Sequence, residues 1–270
     1  MSDANAFHLS DKAAETYETQ RVPAIFGPMA EATLDAIELP ACSSFLDVAC
    51  GTGAMARAVA ARLAEPCRIV GCDLNAAMID VARAHTPESP HKFEWIVAPA
   101  QSMPLEDESF DLGFCQHGLQ FFPDKPAALH EIKRALRPRA RLVITCWRAI
   151  PPFFDVVADV LRHHLGDTAA TTAVRPFTWN DAEEIGSLIS DAGFDCGAPK
   201  MLPVARRMPA HQQTMVAEIL ATPNEQALRA SGQETVSIIA AEILQGVEGF
   251  REGDTLVMPQ EAHLFEATAK

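Results

Sequence analysis

A chain of 270 residues, 48% apolar and 21% charged, has ordinary globular composition, which excludes a disordered chain or a long coiled coil. Its 36 acidic against 22 basic residues leave a net charge of -14, a sign that repels phosphate backbones and anionic headgroups, so no nucleic acid partner is expected. No apolar stretch approaches the roughly 20 residues of a membrane span. The first twenty residues are polar and acidic, without the basic start and apolar run of a secretion signal, so a cytoplasmic location is expected. Seven cysteines without a CxxC pair point to free thiols and to no metal set. The one basic cluster, Arg134, Arg137, Arg139 and Arg141, is read as a solvated face.

The predicted elements begin with a helical stretch over about 11–38, broken at Pro23, Pro28 and Pro40. The run SSFLDVACGTG then gives a short buried strand, a glycine turn and the alanine-rich helix AMARAVAARLA. The alternation continues through strand CRIVGCDLN, helix AAMIDVARAH, strand FEWIVAPA, strand FDLGFCQHG, helix KPAALHEIKRAL and strand ARLVITCW. Strands alternating with helices at these lengths imply a doubly wound α/β fold with a parallel sheet covered on both faces. Past Trp147 come a helix PFFDVVADVLRHHLG, a helix ending near Gly193, a strand near KMLPVARRM, two helical stretches at about 210–221 and 224–247, and a closing strand. The expected organisation is an N-terminal helical lid (1–40), a binding core (41–208), a helical cap insertion (209–250) and a final strand of the core sheet (251–270).

The chemistry concentrates in Leu46-Asp47-Val48-Ala49-Cys50-Gly51-Thr52-Gly53. Gly51 and Gly53 let the backbone turn sharply and bring a ligand close to the following helix N-terminus. The loop by itself is ambiguous: Gly51, Gly53 and Ala56 also satisfy the dinucleotide pattern GxGxxG/A, with Asp73 at the distance where an acid binds ribose hydroxyls. Asp47 separates the readings, because the first strand of a dinucleotide fold is usually apolar throughout.

With LDVACGTG, the pieces VGCDLNAAMIDVAR, APAQSMPLEDESFDLGFCQHGLQFFPD and EIKRALRPRARLVITCW occur in order over about 43–148, and together they resemble the class I S-adenosylmethionine-dependent methyltransferases, especially the branch containing the ubiquinone and menaquinone biosynthesis enzymes. The resemblance implies a Rossmann-like, mostly parallel seven-stranded sheet with helical caps. It implies S-adenosyl-L-methionine as cofactor and an activity of EC 2.1.1 type on a small-molecule acceptor; a monomer or homodimer is expected. By the same resemblance Asp47, Ala49, Gly51 and Gly53 surround the methionyl part, and Asp73 takes the ribose hydroxyls. Leu74 and Met78 hold the adenine, Ala100 and Gln101 meet its edge, and Gln116 reaches the amino or carboxylate group. Pro99 departs from the family, many of whose members carry an acid there, and Arg139 and Ala140 replace the usual glycines before the fifth strand.

Methyl transfer from a sulfonium asks chiefly for positioning and exclusion of water, with a base only where the nucleophile is protonated. His117, after the fourth strand, is the candidate base, because an unperturbed imidazole titrates near neutrality; Tyr17 is a candidate to close over the cofactor. Of His163 and His164, one is expected exposed and one packed. Cys50, Cys72, Cys115 and Cys146 fall near strand ends and are read as small buried hydrophobes, the alternative being thiolates for a soft acceptor such as trivalent arsenic. Phe153, Phe154, Ile219, Leu220, Ile238, Ile239 and Leu244 suit a hydrophobic or aromatic acceptor, or helix packing. The alternatives in other classes are a non-catalytic S-adenosylmethionine-binding protein and an NAD(P)-dependent oxidoreductase.

Overall fold

Runs of β-branched and aromatic residues between glycine and helix signals become the strands of one sheet. In the computed structural model, which describes residues 11–270, β1 (Ser44–Val48), β2 (Arg68–Asp73), β3 (Lys92–Val97), β4 (Phe110–Gln116) and β5 (Leu136–Trp147) lie parallel in the order β3-β2-β1-β4-β5. All five residues of β1 are buried, as a central strand covered on both faces requires. Alternate residues feed opposite cores: Phe45 joins Met29, Met55 and Val59 on one face, while Leu46 joins Leu129, Ile132 and Ile185 on the other.

The crossovers are α3 (Ala54–Arg62), α4 (Ala76–Ala84) and α5 (Lys125–Ala135). Two start on side-chain caps: Asn75 accepts from the Ala77 N–H at 3.0 Å, and Asp124 from the Ala127 N–H at 2.9 Å. Successive strands run outward from β1 through β2 to β3, and the chain then crosses back to place β4 on β1's other side. That reversal opens a crevice beyond the carboxyl ends of β1 and β4, the place where open α/β sheets bind ligands.

Past β5 the chain forms α6 (Pro152–Leu165), α7 (Asp167–Val174), α8 (Ala182–Asp191), β6 (Phe194–Cys196), β7 (Lys200–Pro209), α9 (Gln212–Leu220), α10 (Glu225–Ala230), α11 (Gln233–Gly246), β8 (Arg251–Glu252) and β9 (Thr255–Ala269). β9 returns antiparallel to β5, and β6 and β7 pair with β9 in turn. The sheet therefore contains nine strand segments, of which seven make up its main path. Helices α6, α9 and α11 pack with Met208, Leu256 and Met258 of β7 and β9 into a third apolar cluster. The stretch expected as one helix over 224–247 divides at Gly232, whose φ of 91° ends α10 and starts α11.

The N-terminal stretch corrects an expectation. Helix α1 (Asp11–Thr16) runs through a π-helical segment, Tyr17–Phe26, into α2 (Gly27–Ala36), and Pro23 lies inside that segment without ending it. The wider coil, closed by Gly27 N–H donating to the Val22 carbonyl, accommodates a ring that would collide with the preceding turn of an α-helix. Pro28 stands in the first turn of α2, where its missing N–H costs nothing.

The arginine cluster is largely neutralised at the surface: Arg134 pairs with Glu131 and Asp107, Arg137 with Asp111, and Arg141 with Glu266. No helix among the described residues is long and apolar enough to cross a membrane. All seven cysteines are free thiols, and no cluster of three or more potential ligands among the described residues could hold a metal ion.

Candidate functional site

A cavity of about 420 Å³ opens beyond the carboxyl ends of β1, β2 and β4, within the size range of small-molecule sites. A recess of about 30 Å³ shares Tyr17, Phe26, Ala49, Gly51 and Gln116 with it and reaches back to Asp47 and Thr52.

The floor is the turn after β1. Ala49, Gly51 and Gly53 all have positive φ, at 56°, 55° and 83°, so three left-handed residues reverse the chain within five positions. Cys50 N–H donates to the Cys72 carbonyl at 3.1 Å, tying the turn to β2. At the end of β2, Asp73 accepts from Gly51 N–H and Asn75 N–H, both at 2.9 Å. Asp73 thus holds the loop as well as facing the cavity. Gly53 lines neither cavity nor recess: a Cβ there would lie 2.4 Å from the Trp95 ring, so its smallness serves packing beneath the loop.

Asp47 is 1% exposed, and neither carboxylate oxygen has a hydrogen-bond partner of normal geometry. Burial pushes its carboxyl up to about 8, a shift that the Ala56 N–H only partly opposes. Gln116 donates through Nε2 to the Phe26 carbonyl at 3.2 Å, leaving its buried Oε1 without a partner. The recess is therefore walled by oxygen atoms that lack a donor. Along the main cavity, Asp73 at the end of β2, Leu74, and Met78 of α4 line the wall, and Pro99, Ala100 and Gln101 continue the same lining.

His117 lines the cavity with both ring nitrogens unpartnered and its ring stacked on Trp147 at a centroid distance of 3.9 Å. Burial lowers its pKa to about 3, so the expectation of an imidazole titrating near neutrality is corrected: the ring is neutral at physiological pH and a weak base. Its φ of 53° is a further strained position beside the turn after β1.

Tyr17 lines both spaces, stacked on Phe26 at 5.1 Å. Of the apolar residues expected in a cap, Phe154 reaches the cavity; Phe153, Ile219 and Ile239 are buried in the third cluster and Ile238 is exposed. His163 is exposed, and His164 contacts Glu242 at 2.9 Å, away from the cavity. Cys72 lines the cavity and Cys50 the recess, whereas Cys115 and Cys146 line neither. Burial raises the thiol pKa of Cys72 and Cys115 to about 12, which keeps both protonated.

Sequence reasoning missed Arg21, Gln120, Phe177, Arg206 and Gln260, which line the far part of the cavity. One signal was available: Arg206 falls in the inward phase of the alternation Leu202, Val204, Met208, where a charge is out of place.

Residues 46–144 match the family model described as a methyltransferase domain. The chain is 37% identical over 113 residues to a demethylmenaquinone methyltransferase of Lactiplantibacillus plantarum, covering 41% of this chain and 48% of that one. It is 35% identical over 111 residues to a 2-phytyl-1,4-naphtoquinone methyltransferase of Thermosynechococcus vestitus, covering 41% and 49%. The chain spans about half the length of these curated relatives. Among solved structures, phosphoethanolamine N-methyltransferase 2 of Haemonchus contortus, in complex with S-adenosyl-L-methionine, superposes with a TM-score of 0.58 at 19% identity, covering 97% of this chain and 57% of that one, which shows a shared fold.

Proposed function

From a chain whose residues 46–144 form a class I methyltransferase domain, we propose an S-adenosylmethionine-dependent enzyme that transfers a methyl group to a small-molecule acceptor with a hydrophobic or aromatic body. The observation that carries this reading is the recess with its unpartnered oxygens, the Asp47 carboxylate and Gln116 Oε1. Such a pair lacks a cationic donor, which the α-ammonium of S-adenosylmethionine supplies. A dinucleotide would instead bring a pyrophosphate towards a buried acid, so a nicotinamide cofactor fits poorly.

Ala49 and Gly51 would bound the methionyl end, and Asp73 would accept from the ribose hydroxyls. Leu74 and Met78 would hold the adenine, while Ala100 and Gln101 meet its edge. Gly53 would shape the turn from below. Bound S-adenosylmethionine supplies a methyl group already made electrophilic by its sulfonium. The chain's part is to orient the acceptor and keep water out. His117, neutral and unpartnered, would hold an acceptor oxygen or nitrogen by a hydrogen bond and take up a proton only from a strongly acidified nucleophile. The residues 1–40 would act as a lid, supported by Tyr17, Arg21 and Phe26 in the cavity wall, although the first ten lie outside the described residues. Within 209–250, Ala221, Thr222 and Pro223 line the same wall and support a cap. Seven free thiols support a reducing, cytoplasmic compartment.

Calorimetric titration with S-adenosylmethionine, S-adenosylhomocysteine and NADH tests the cofactor without the acceptor being known. Micromolar binding of the first two and none of NADH is expected, and NADH binding alone overturns the reading. In the same experiment Asp73→Ala should lose about 1–3 kcal/mol of cofactor affinity, whereas His117→Ala should keep it.

A further inference from the structure

The paired strands β7 and β9 turn an apolar face inward between Leu202 and Met208, with Leu256 and Met258 opposite, and that face is polar only at Arg206 and Gln260. The register pairs Val204 with Gln260 and Arg206 with Met258, so the two polar side chains are diagonal neighbours on one face. Both are buried, at 4% and 3% exposure, and both line the cavity. Arg206 donates through Nη2 to Glu218 Oε2 at 2.6 Å, but its Nε has no partner, and neither amide atom of Gln260 has one. Buried donors left this way cost free energy unless a ligand completes them.

The charge balance points the same way. Glu218 Oε2 also lies 3.8 Å from Arg21 Nε, so two guanidiniums share one carboxylate. Glu218, Arg21 and Tyr17 act most strongly on Arg206, and Tyr17 is an uncharged phenol held protonated by burial. That end of the cavity therefore sets two guanidiniums, Arg21 and Arg206, against the one carboxylate of Glu218. Beside it stand aromatic rings, with Phe154 against Phe177 at 4.5 Å and Phe177 against Trp147 at 5.5 Å.

We propose that the methyl acceptor is an aromatic organic anion, whose carboxylate is received by Arg206 and Gln260 while its ring system lies against Phe154, Phe177 and Trp147. A carboxylate offers acceptors for both the free Nε–H of Arg206 and the amide of Gln260, and it gives the second guanidinium a counter-charge. A neutral acceptor could take hydrogen bonds from both but would leave the second guanidinium without a counter-charge. The proposal rests on the methyltransferase reading and narrows it to a substrate class.

The test uses protein saturated with S-adenosylhomocysteine and titrated with 2-naphthoate and hydroxynaphthoates, each beside its methyl ester. The acids should bind at least tenfold more tightly than the esters. Arg206→Met should erase that preference, and Gln260→Leu, which leaves the Arg206–Glu218 pair intact, should reduce it. Retained affinity for S-adenosylhomocysteine checks the fold of each variant. Equal binding of acid and ester, no binding of either, or a preference that survives both substitutions overturns the proposal while the cofactor assignment stands. Failure of the wild-type protein to bind S-adenosylhomocysteine removes the underlying reading and this proposal with it.

Discussion

Asp47 shows how one buried carboxylate couples folding, pH and ligand. Its folded-state pKa of about 8 lies far above the ordinary value of 3.8. Between those values the unfolded chain ionises while the folded one keeps its proton, so the contribution to stability is fully present below about pH 4 and is lost as pH rises through 8. Asp47→Asn removes the titration without changing shape. The variant should unfold at a higher temperature than the unliganded wild type at pH 8, with the difference vanishing near pH 4. The same proton reports binding: a cationic ligand ionises Asp47, so S-adenosylmethionine binding at pH 7 should release most of one proton, measured by calorimetry in buffers of different ionisation enthalpy. Binding without proton release, or release that persists in Asp47→Asn, would remove the ammonium from the recess. At this scale the sequence was informative where the motif is local. Asp47 to Gly53 are adjacent in the chain and form one turn, whereas Arg206 and Gln260 meet the cavity only because β7 and β9 pair across more than fifty residues.

Among the elements, the strand and helix pattern of 44–147 was legible because each unit follows from short-range physics. Apolar runs made strands, Asn75 and Asp124 capped helices, and positive φ values ended β1. The turn before the regular part of β5 is instructive, because Arg139 and Ala140 stand there in place of the family's glycines. Arg139 keeps the left-handed conformation, at φ 66°, although its side chain is exposed and makes no hydrogen bond or ion pair among the described residues. A non-glycine residue there costs about 1 kcal/mol or somewhat more, partly offset because glycine would raise the entropy of the unfolded chain. Arg139→Gly should therefore stabilise the protein by about 0.5–1 kcal/mol in urea unfolding, with no effect on cofactor affinity. A destabilised variant would mean that the guanidinium makes a contact worth more than the strain. The proline rule failed at Pro23 for a physical reason: it describes α-helices, and the chain adopts the wider π-helical path that the ring tolerates.

Across the whole molecule, the N-terminal segment reaches a partner two hundred residues away in sequence. Arg21 donates to the Ala221 carbonyl at 2.8 Å, just past the end of α9, and Glu18 pairs with Arg57 of α3 at 2.6 Å. Between these two anchors Tyr17 and Phe26 form part of the cavity wall. No local pattern announces such contacts, since each polar partner looks like ordinary surface until the fold brings it over the cavity. Both anchors hold Tyr17 and Phe26 against the cavity, so release past this wall should require the segment to lift. Arg21→Ala removes the α9 anchor and leaves the turn after β1 untouched. It should speed dissociation of S-adenosylhomocysteine severalfold in stopped-flow displacement, with a smaller change in association. Hydrogen exchange supplies the complementary measurement: S-adenosylhomocysteine should slow exchange over Tyr17–Phe26 and α2 in the wild type, and much less in Arg21→Ala. Exchange over that segment indifferent to ligand would show that it is a fixed wall.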